Sequence, residues 1–523
     1  MDGHRSRYVW ATLPILALAA LLLWLGTTAP VRADANTYCV NQAGTGCDAG
    51  CGGGCYASVQ AAVSAAPPGS EIRIAAGTYT DPAGTVAAIT HALVLRGGYD
   101  PTCAGFDPDL YHTVLDAQWG GSVISITNAG DVLLEHLTLT HGDGSDNCGS
   151  GYGCGGGIYA TGSNLHVGGC VITDNVANRS GNGDGRGGGI YARVSDHAVD
   201  IWDSQIVSNT ANTSSSSSSY SMGGGVHILF GTVSLVGNQI LDNVGSSAGT
   251  GGMGGGLYLV SLTHTDILSN VIRGNWAATG HRGGDGGGLY ISSAAAYISG
   301  NCIENNWTSP NHAGNGGGVY IAESDVHLTR NTVISNATGV GWTGSGGGVF
   351  VGSRRPVTLS NNLIANNDAG TSSTHGGGVA VSWYAPPASQ AILVNNTIVD
   401  NGASGVVGQV YAVLTMTNNI IAGHTTGLGN SPIFTGSITA DHNLFWNTND
   451  PITGSNAILQ DPLLSADYHL RTGSPAVDAG LTIPWLTTDL EGNNRPQGSG
   501  YDLGAFEGAV AWEVYLPLVL RGH

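Results

Sequence analysis

The sequence predicts an all-β fold, a right-handed parallel β-helix, from two repeated motifs and from the residue pattern between them. The first motif is a glycine triplet followed by an aliphatic residue. It recurs at intervals of 30 to 36 residues, beginning at Gly155, Gly187, Gly223, Gly254, Gly286, Gly316, Gly346 and Gly376. A fixed interval of this length is typical of a repeat protein in which each repeat forms one supersecondary unit.

The second motif is an aliphatic residue, two variable residues and an asparagine. It occurs once in each repeat, and its asparagines are Asn175, Asn209, Asn243, Asn275, Asn306, Asn336, Asn366 and Asn401. Because these residues keep phase with the glycine triplets, we expect them to stack inside the fold. Their side-chain amides would then form a ladder of hydrogen bonds from coil to coil.

Each repeat also contains about three short segments in which apolar residues alternate with polar ones, for example 319–321, 326–328 and 332–334. Alternation with a period of two indicates strands. Stacked coils that pair in parallel would bury these aliphatic residues in one continuous core. A β-propeller is the alternative fold, but about thirty residues is short for a four-stranded blade.

The chain divides into five predicted segments. Residues 1–33 have the basic start, apolar run and small residues of a signal peptide, with a retained membrane anchor as the alternative. Residues 34–66 form a Cys-rich N-terminal cap with a short helix, 67–450 the β-helix, 451–508 a C-terminal cap, and 509–523 a final strand or tail. We therefore expect a secreted or cell-surface protein without a transmembrane segment in its mature chain.

Nine cysteines in an exported chain favour disulfides. Five of them lie early, at Cys39, Cys47, Cys51, Cys55 and Cys103. The C-x3-C-x3-C spacing of Cys47, Cys51 and Cys55 also suggests a metal cluster, but an oxidising compartment favours a disulfide-bonded cap. Cys148 and Cys154 bracket a glycine-rich loop and are expected to pair, whereas Cys170 and Cys302 lie too many coils apart to bridge.

Charge excludes one class of partner. The formal net charge is −20, all sixteen basic residues are arginine, and they do not cluster. Such a chain repels the phosphate backbone, so nucleic-acid binding is excluded. We expect a monomer.

Three stretches resemble known families. Residues 59–79 (VQAAVSAAPPGSEIRIAAGTY) resemble the N-terminal capping segment of pectate-lyase-like β-helices. The repeats resemble those of chlamydial polymorphic outer-membrane proteins. Residues 461–507, with GSPAVDAG, DLEGNNRP and YDLGAFE, resemble the choice-of-anchor Q region. These resemblances imply a secreted or surface-attached bacterial protein and no particular reaction, and Asp478, Asp489, Asp502 and Glu507 are interpreted as turn and cap-closing residues.

Candidate catalytic residues lie in the loops before the glycine triplets. They are Asp143, Asp146, Asp184, Arg186, His281, Arg282 and Asp285. Clustered acids beside an arginine or histidine would suit calcium-assisted cleavage of an acidic polysaccharide, since calcium takes six to eight oxygen ligands. The alternative, which we favour, is that they are solvated loop charges and turn residues. No cofactor or metal is therefore expected, and calcium is the alternative.

An aromatic column follows the triplets. It consists of Tyr159, Tyr191, His227, Tyr258, Tyr290, Tyr320 and Phe350. Strand alternation predicts that these rings point outward and lie about 4.8 Å apart on successive coils. Two interpretations stay open, namely stacking against the sugar rings of a glycan and a self-stacked ladder that stabilises the sheet.

The sequence thus favours a non-enzymatic secreted or surface protein with polysaccharide association or adhesion as its role. The alternative is a polysaccharide lyase or glycoside hydrolase that acts on an acidic polysaccharide.

Overall fold

The computed structural model describes residues 37–180, 183–214, 220–247, 251–280, 283–310, 312–339, 344–370, 375–383, 386–430, 436–449 and 452–510. The predicted signal peptide and most of the predicted tail lie outside these ranges. Within them, no helix has both the length and the apolar character needed to cross a membrane.

One long sheet of 25 strands runs the length of the molecule. Its strands are Thr37–Val40, Cys55–Tyr56, Ser70–Ala75, Ala87–Ile89, Leu93–Tyr99, Ile124–Glu135, Ile158–Gly168, Ile190–Arg193, Ala198–Trp202, Val226–Leu229, Thr232–Val236, Leu257–Val260, His264–Leu268, Leu289–Ser292, Ala295–Ser299, Val319–Ala322, Asp325–Thr329, Val349–Gly352, Pro356–Ser360, Val379–Val381, Ser389–Val394, Ser404–Gly408, Ala412–Thr417, Thr426–Asn430 and Ser437–Asp441.

A second sheet of 13 strands forms another side of the coils. Its strands are Gly77–Tyr79, Thr113–Asp116, Thr138–Thr140, Val171–Thr173, Gln205–Val207, Gln239–Leu241, Val271–Arg273, Cys302–Glu304, Thr332–Ile334, Leu363–Ala365, Thr397–Val399, Ile420–Ala422 and Leu444–Trp446.

Three smaller sheets complete the described strands. The outgoing sheet contains Val176–Asn178, Thr210–Asn212, Val244–Ser246 and Trp276–Ala278, and the returning sheet contains Gly153–Cys154, Gly185–Arg186, Ser221–Met222 and Gly252–Met253. Leu470–Arg471 pairs with Ala509–Val510 near the C-terminus.

These strands form a parallel β-helix of about 11 turns, so the predicted fold class is confirmed. Strands pair in parallel with the equivalent strands of the next coil, as at Leu289 and Val319. The aliphatic residue after each glycine triplet points inward and is fully buried, for example Ile158, Leu289 and Val379. The core is therefore one continuous column of aliphatic side chains.

The N-terminal cap contains the helix Val59–Ala65, whose apolar face is buried on the first coils. Ser58 caps it, since its hydroxyl accepts a hydrogen bond from the Ala61 N–H at 3.2 Å. Disulfides join Cys39 to Cys51 and Cys47 to Cys55 in this cap. The predicted Cys148–Cys154 pair is also present. Cys103, Cys170 and Cys302 are free thiols.

A ladder of buried asparagines runs through the coils at the bend after the second sheet. Asn275 is representative: its side-chain oxygen accepts from the backbone N and the amide of Asn243, both at 3.0 Å. Its amide donates to the Ile240 carbonyl and to Asn306, both at 2.9 Å. Asparagine suits this position because one amide group supplies both donors and an acceptor with two lone pairs.

The structure corrects one member of the predicted ladder. Asn367, not Asn366, continues it, with its amide 2.8 Å from Asn401 and its oxygen 3.0 Å from the amide of Asn336. Asn366 is exposed, has a positive φ of 55° and donates to the Tyr468 hydroxyl. The sequence could not separate the two, since both lie three residues after an aliphatic residue, Leu363 or Ile364.

A second asparagine ladder, which the sequence analysis missed, lies at the bend before the second sheet. Its members bond amide to amide at 2.9 to 3.1 Å: Asn238, Asn270, Asn301, Asn331, Asn362, Asn396, Asn419 and Asn443. The six members from Asn238 to Asn396 each lie five residues before an asparagine of the first ladder, whereas His424 and Thr448 occupy that position after Asn419 and Asn443. The longer pattern Asn-x-aliphatic would have identified every member except Asn443, which is followed by Phe445 at that position. Two ladders on either side of one sheet fix both of its bends.

Each glycine triplet lies where the chain passes so close to itself that a side chain has no room. Gly286 has a φ of 65°, which non-glycine residues rarely adopt. A Cβ on Gly287 would lie 2.6 Å from the backbone of Trp307 and would overlap the Gly317 carbonyl. A Cβ on Gly288 would lie 2.8 Å from the Gly318 carbonyl and 3.0 Å from the Asn306 amide. Gly286 is therefore required for its positive φ. Gly287 is required because a side chain would overlap the backbone of the next coil, and Gly288 because a side chain would press on the Gly318 carbonyl and the Asn306 amide.

Residues 461–508, the larger part of the expected C-terminal cap (451–508), cover the flank of the second sheet. Leu503, Ala505 and Phe506 form an apolar cluster with residues of the second sheet, including Val399 and Ile420. The segment before them pairs with the last coil, through bridges such as that from Leu444 to Ile458. We call residues 461–508 the flank cover.

A buried polar network holds the flank cover together. The Arg495 guanidinium is fully buried, pairs with Glu507 and donates to the Asn361 oxygen at 3.0 Å. Asp489 accepts from the backbone N of Asn493 at 2.8 Å, and Asp502 accepts from that of Asp478 at 2.7 Å. Buried charged groups are stable only with such partners, so the contacts of these residues give them a structural role in the flank cover.

The corrected ladder gives a test on adjacent residues. Asn367→Ala should lower the free energy of unfolding by at least about 1–3 kcal/mol, because buried groups of Asn336, Val333 and Asn401 lose their partner. Asn366→Gly should lower it by less than about 1 kcal/mol, since the hydrogen bond it loses is exposed and glycine tolerates the positive φ. Urea unfolding followed by circular dichroism measures both, and the opposite ranking would refute the corrected register.

Candidate functional site

The candidate site lies where the projecting loops return to the long sheet. In several coils the chain leaves the core through the outgoing sheet and returns through the returning sheet. The residue just before each glycine triplet then stacks on its equivalents in neighbouring coils. We call this the pre-triplet column: Cys154, Arg186, Met222, Met253, Asp285, Asn315, Ser345 and His375.

The pre-triplet column borders the aromatic column. A Cβ on Gly223 would lie 3.0 Å from the Cβ of His227, and one on Gly286 would lie 2.9 Å from that of Tyr290. Burial raises the pKa of Tyr290, and the nearby Tyr258 and Asp285 add to the shift, so the two columns lie close together in this coil. Sequence analysis identified the rings but not this neighbouring column, although its position is readable from the triplets.

The rings of the aromatic column contact one another along its whole length. Ring centroids of successive members lie 4.7 to 5.7 Å apart. The tyrosine and phenylalanine pairs are nearly parallel, with interplanar angles of 7° to 20°. His227 is rotated edge-on to Tyr191 and Tyr258. Because each interior ring has a ring on either side, its faces are occupied, and only edges and hydroxyls remain for a ligand.

Exposure varies along the column. Tyr191, His227 and Phe350 are buried, whereas Tyr159, Tyr258, Tyr290 and Tyr320 are half-buried. The three consecutive tyrosines from Tyr258 to Tyr320 therefore form the accessible part. Burial raises the pKa of Tyr258 and of Tyr290, so both are protonated phenols at neutral pH.

His227 is the least exposed member of the column. Burial, together with the positive charge of Arg186, lowers its pKa to about 3. Neither ring nitrogen has a hydrogen-bond partner among the described residues. The imidazole is therefore neutral and fills space between two tyrosines.

The acidic candidates lie in separate hydrogen-bonded turns. Asp143 accepts from the backbone N and hydroxyl of Ser145 at 3.0 and 2.6 Å. Asp146 accepts from a backbone N–H in the loop that the Cys148–Cys154 disulfide closes.

The other candidates also have partners, or are not described. Asp184 lies 3.4 Å from Arg186 and accepts from the backbone N of Tyr220 at 3.0 Å. Asp285 accepts from the backbone N and amide of Asn315 at 2.8 and 3.1 Å. Burial raises the pKa of Asp285, and these two bonds oppose the shift. His281 and Arg282 lie outside the described residues.

The donor groups do not converge on a metal position within the described ranges. The group whose ligand atoms lie within 4.8 Å of one another is Cys39, Cys47 and Cys51. All three sulfurs are in disulfides and cannot act as thiolate ligands. Calcium binding by the acidic loops remains a prediction.

A cleft of about 490 Å³ opens between the projecting loops. Tyr220, Met253, Asp285 and His312 line it together with glycine backbone. Its side chains offer a phenol, a carboxyl group and an imidazole. The arrangement can bind a ligand through hydrogen bonds along several coils.

Three solved structures that are similar to this chain each cover most of its length. The crystal structure of pectate lyase Pel9A has 13% identity and a TM-score of 0.38, over 90% of this chain and 96% of that one. The complex of XylC with xylose has 10% identity and a TM-score of 0.38, over 90% and 99%. The A-module of the Azotobacter vinelandii mannuronan C-5 epimerase AlgE4 has 15% identity and a TM-score of 0.27, over 81% and 97%.

No protein-family model matches the chain, and no curated protein matches it. At these identities and TM-scores, the structural likenesses give no information on a substrate or a reaction.

The stacked geometry predicts how the column responds to mutation. Replacing both Tyr258 and Tyr290 with Ala removes three ring pairs, each contributing about 0.5–1.5 kcal/mol beyond area burial. The free energy of unfolding should fall accordingly. Replacing both with Phe keeps the rings and should leave it within about 0.5 kcal/mol of the wild type. Denaturant unfolding measures both variants, and an unaffected double-Ala variant would rule out a stabilising ladder.

Proposed function

We propose that the protein is an exported, non-catalytic β-helix that associates with a polysaccharide along its aromatic column. The observation that carries this proposal is the run of half-buried tyrosines in consecutive coils, Tyr258, Tyr290 and Tyr320. Asp285 is close enough to Tyr290 to add to the burial that raises the pKa of this phenol. Phenol, carboxyl and amide groups are the partners that sugar hydroxyls need.

The spacing supports a polymeric ligand. Successive ring centroids in this run lie 4.8 and 4.7 Å apart. A surface that repeats the same group on every coil suits a ligand that also repeats along its length, since each additional unit meets an equivalent contact. Contact through hydroxyls and ring edges replaces the face-on stacking that the sequence suggested, because neighbouring rings occupy the faces.

Charge favours a neutral polysaccharide. The chain carries a formal net charge of −20. Long-range repulsion would slow the approach of a polyuronate and oppose its binding unless cations intervene. A neutral glycan has no such barrier.

We propose that the protein is non-catalytic because of the contacts that the acidic candidates make. Asp143, Asp184 and Asp285 each accept hydrogen bonds from their own loop or from the next coil. A pair of carboxyl groups that shares one scissile bond needs mutual proximity. Cleavage of an acidic polysaccharide remains the alternative that the binding experiment below distinguishes.

Export to an oxidising compartment is part of the proposal. Three disulfides support it, since such bonds persist outside the cytosol. The resemblances to choice-of-anchor Q regions and to chlamydial surface-protein repeats favour attachment at a bacterial surface. The flank cover packs onto the second sheet, so we propose that it is an integral part of the stack. We propose a monomer.

A polysaccharide panel tests the function. The purified protein should bind a neutral polysaccharide such as xylan or a β-glucan, and should bind polygalacturonate more weakly, with no release of reducing ends or unsaturated products. Tyr258→Phe with Tyr290→Phe should weaken this binding, because it removes both hydroxyls while the rings stay stacked. Affinity electrophoresis measures binding, and reducing-sugar and absorbance assays measure products.

The same panel separates the alternatives. Calcium-dependent binding of polygalacturonate with product release would replace this proposal with a lyase or hydrolase. Failure to bind any glycan would leave adhesion to another type of partner.

A further inference from the structure

A second cleft, distant in sequence from the accessible tyrosines, lies at the C-terminal end of the coil stack. Its volume is about 760 Å³, within the roughly 300–1,000 Å³ typical of small-molecule sites. It opens beside Leu444–Trp446, the last strand of the second sheet. Leu444 and Phe445 are buried, whereas Trp446 is 42% exposed.

Trp446 differs from the rings of the aromatic column in one decisive respect. Its strand neighbour in the preceding coil is Ala422, and within the described residues no other ring stacks on it. Because Trp446 lines the cleft and is only partly buried, its indole ring is accessible to a ligand in the cleft. The weakly positive C–H groups of a pyranose ring pack well against the negative face of an aromatic ring.

The rest of the lining supplies hydrogen-bonding groups. Asn447 and Asn449 contribute amides, and Thr425 and Thr453 contribute hydroxyls. The side chain of Leu459, which is 63% exposed, adds an apolar edge. An aromatic face bordered by amides and hydroxyls matches a sugar, which has one apolar face and a polar rim.

The lining is also uncharged over its described residues. It contains no Asp, Glu, Arg or Lys. Its imidazole, His424, is buried, and burial lowers its pKa to about 3, so it is neutral at physiological pH. A uronate or a phosphorylated sugar would find no counter-charge here.

We propose that this cleft is a binding subsite for a neutral sugar unit, which stacks on the face of Trp446. The assignment rests on the proposed polysaccharide association and adds a location and a sugar class to it. Because the subsite lies at the end of the stack, it would hold one sugar unit of a glycan rather than an extended run.

The test uses the mature full-length chain with cellohexaose and xylohexaose as neutral probes and polygalacturonate as the acidic one. Trp446→Ala should weaken binding of a neutral probe about tenfold, the size of effect expected when an aromatic anchor is removed. Trp446→Phe should retain part of the affinity, because it keeps an aromatic face. Isothermal titration calorimetry measures the affinity. The probe should also quench tryptophan fluorescence less in the Trp446→Ala variant than in the wild type.

Trp485→Ala is the matched control, since Trp485 is 59% exposed and lies outside the cleft lining. It should bind as the wild type does. Both Ala variants should keep the wild-type melting temperature, because both side chains are exposed.

The outcomes separate this inference from the proposed function. If Trp446→Ala binds neutral probes like the wild type while Tyr258→Phe with Tyr290→Phe loses affinity, the subsite is wrong and polysaccharide association stands. If the wild type binds no neutral glycan, both are overturned. Equal losses for Trp446→Ala and Trp485→Ala would also overturn the subsite.

Discussion

The close approach of the chain to itself at each glycine triplet is the constraint on which the rest of the structure depends. At Gly287 the backbone of the returning segment lies against the backbone of Trp307 and beneath the Gly317 carbonyl, with no room for a side chain. This contact lets the projecting loops leave the coil and return without widening it. The strand that follows therefore starts at the same position in every coil.

Two asparagine ladders convert this regular path into a fixed register. A bend inside a coil leaves backbone groups that no strand can pair, and a buried unpaired group costs about 1–3 kcal/mol. The amide of Asn301, for example, bonds both the Ile267 carbonyl and the next asparagine, Asn331. Because the register is fixed on both sides of the second sheet, outward side chains on the long sheet also line up. The aromatic and pre-triplet columns are consequences of this alignment.

Much of the fold could be predicted because its determinants are local and repeated. The triplets, the first ladder and the outward direction of the aromatic residues all follow from spacing and alternation. The choice between Asn366 and Asn367 could not, since it depends on which amide is buried. Occupation of the ring faces also needed coordinates, because spacing alone does not set the ring angles.

The packing of the flank cover and the C-terminal cleft could not be predicted from the sequence, for a different reason. Asn395 bonds the Asp502 carbonyl more than one hundred residues away, and Arg495 bonds Asn361 over a similar separation. No repeat or periodicity encodes such contacts. Trp446 likewise looks like any strand aromatic in the sequence, and only its missing ring partner marks it as a candidate contact.

The most direct measurement of the central constraint is the free energy of unfolding of Gly287→Ala. A methyl group there would overlap backbone atoms that cannot move without shifting the next coil, so we expect a loss of about 1–3 kcal/mol or more. Gly52→Ala is the control, since a Cβ at Gly52 meets no atom within 4 Å, and its stability should change by less than about 0.5 kcal/mol. A Gly287→Ala variant as stable as the wild type would contradict the account.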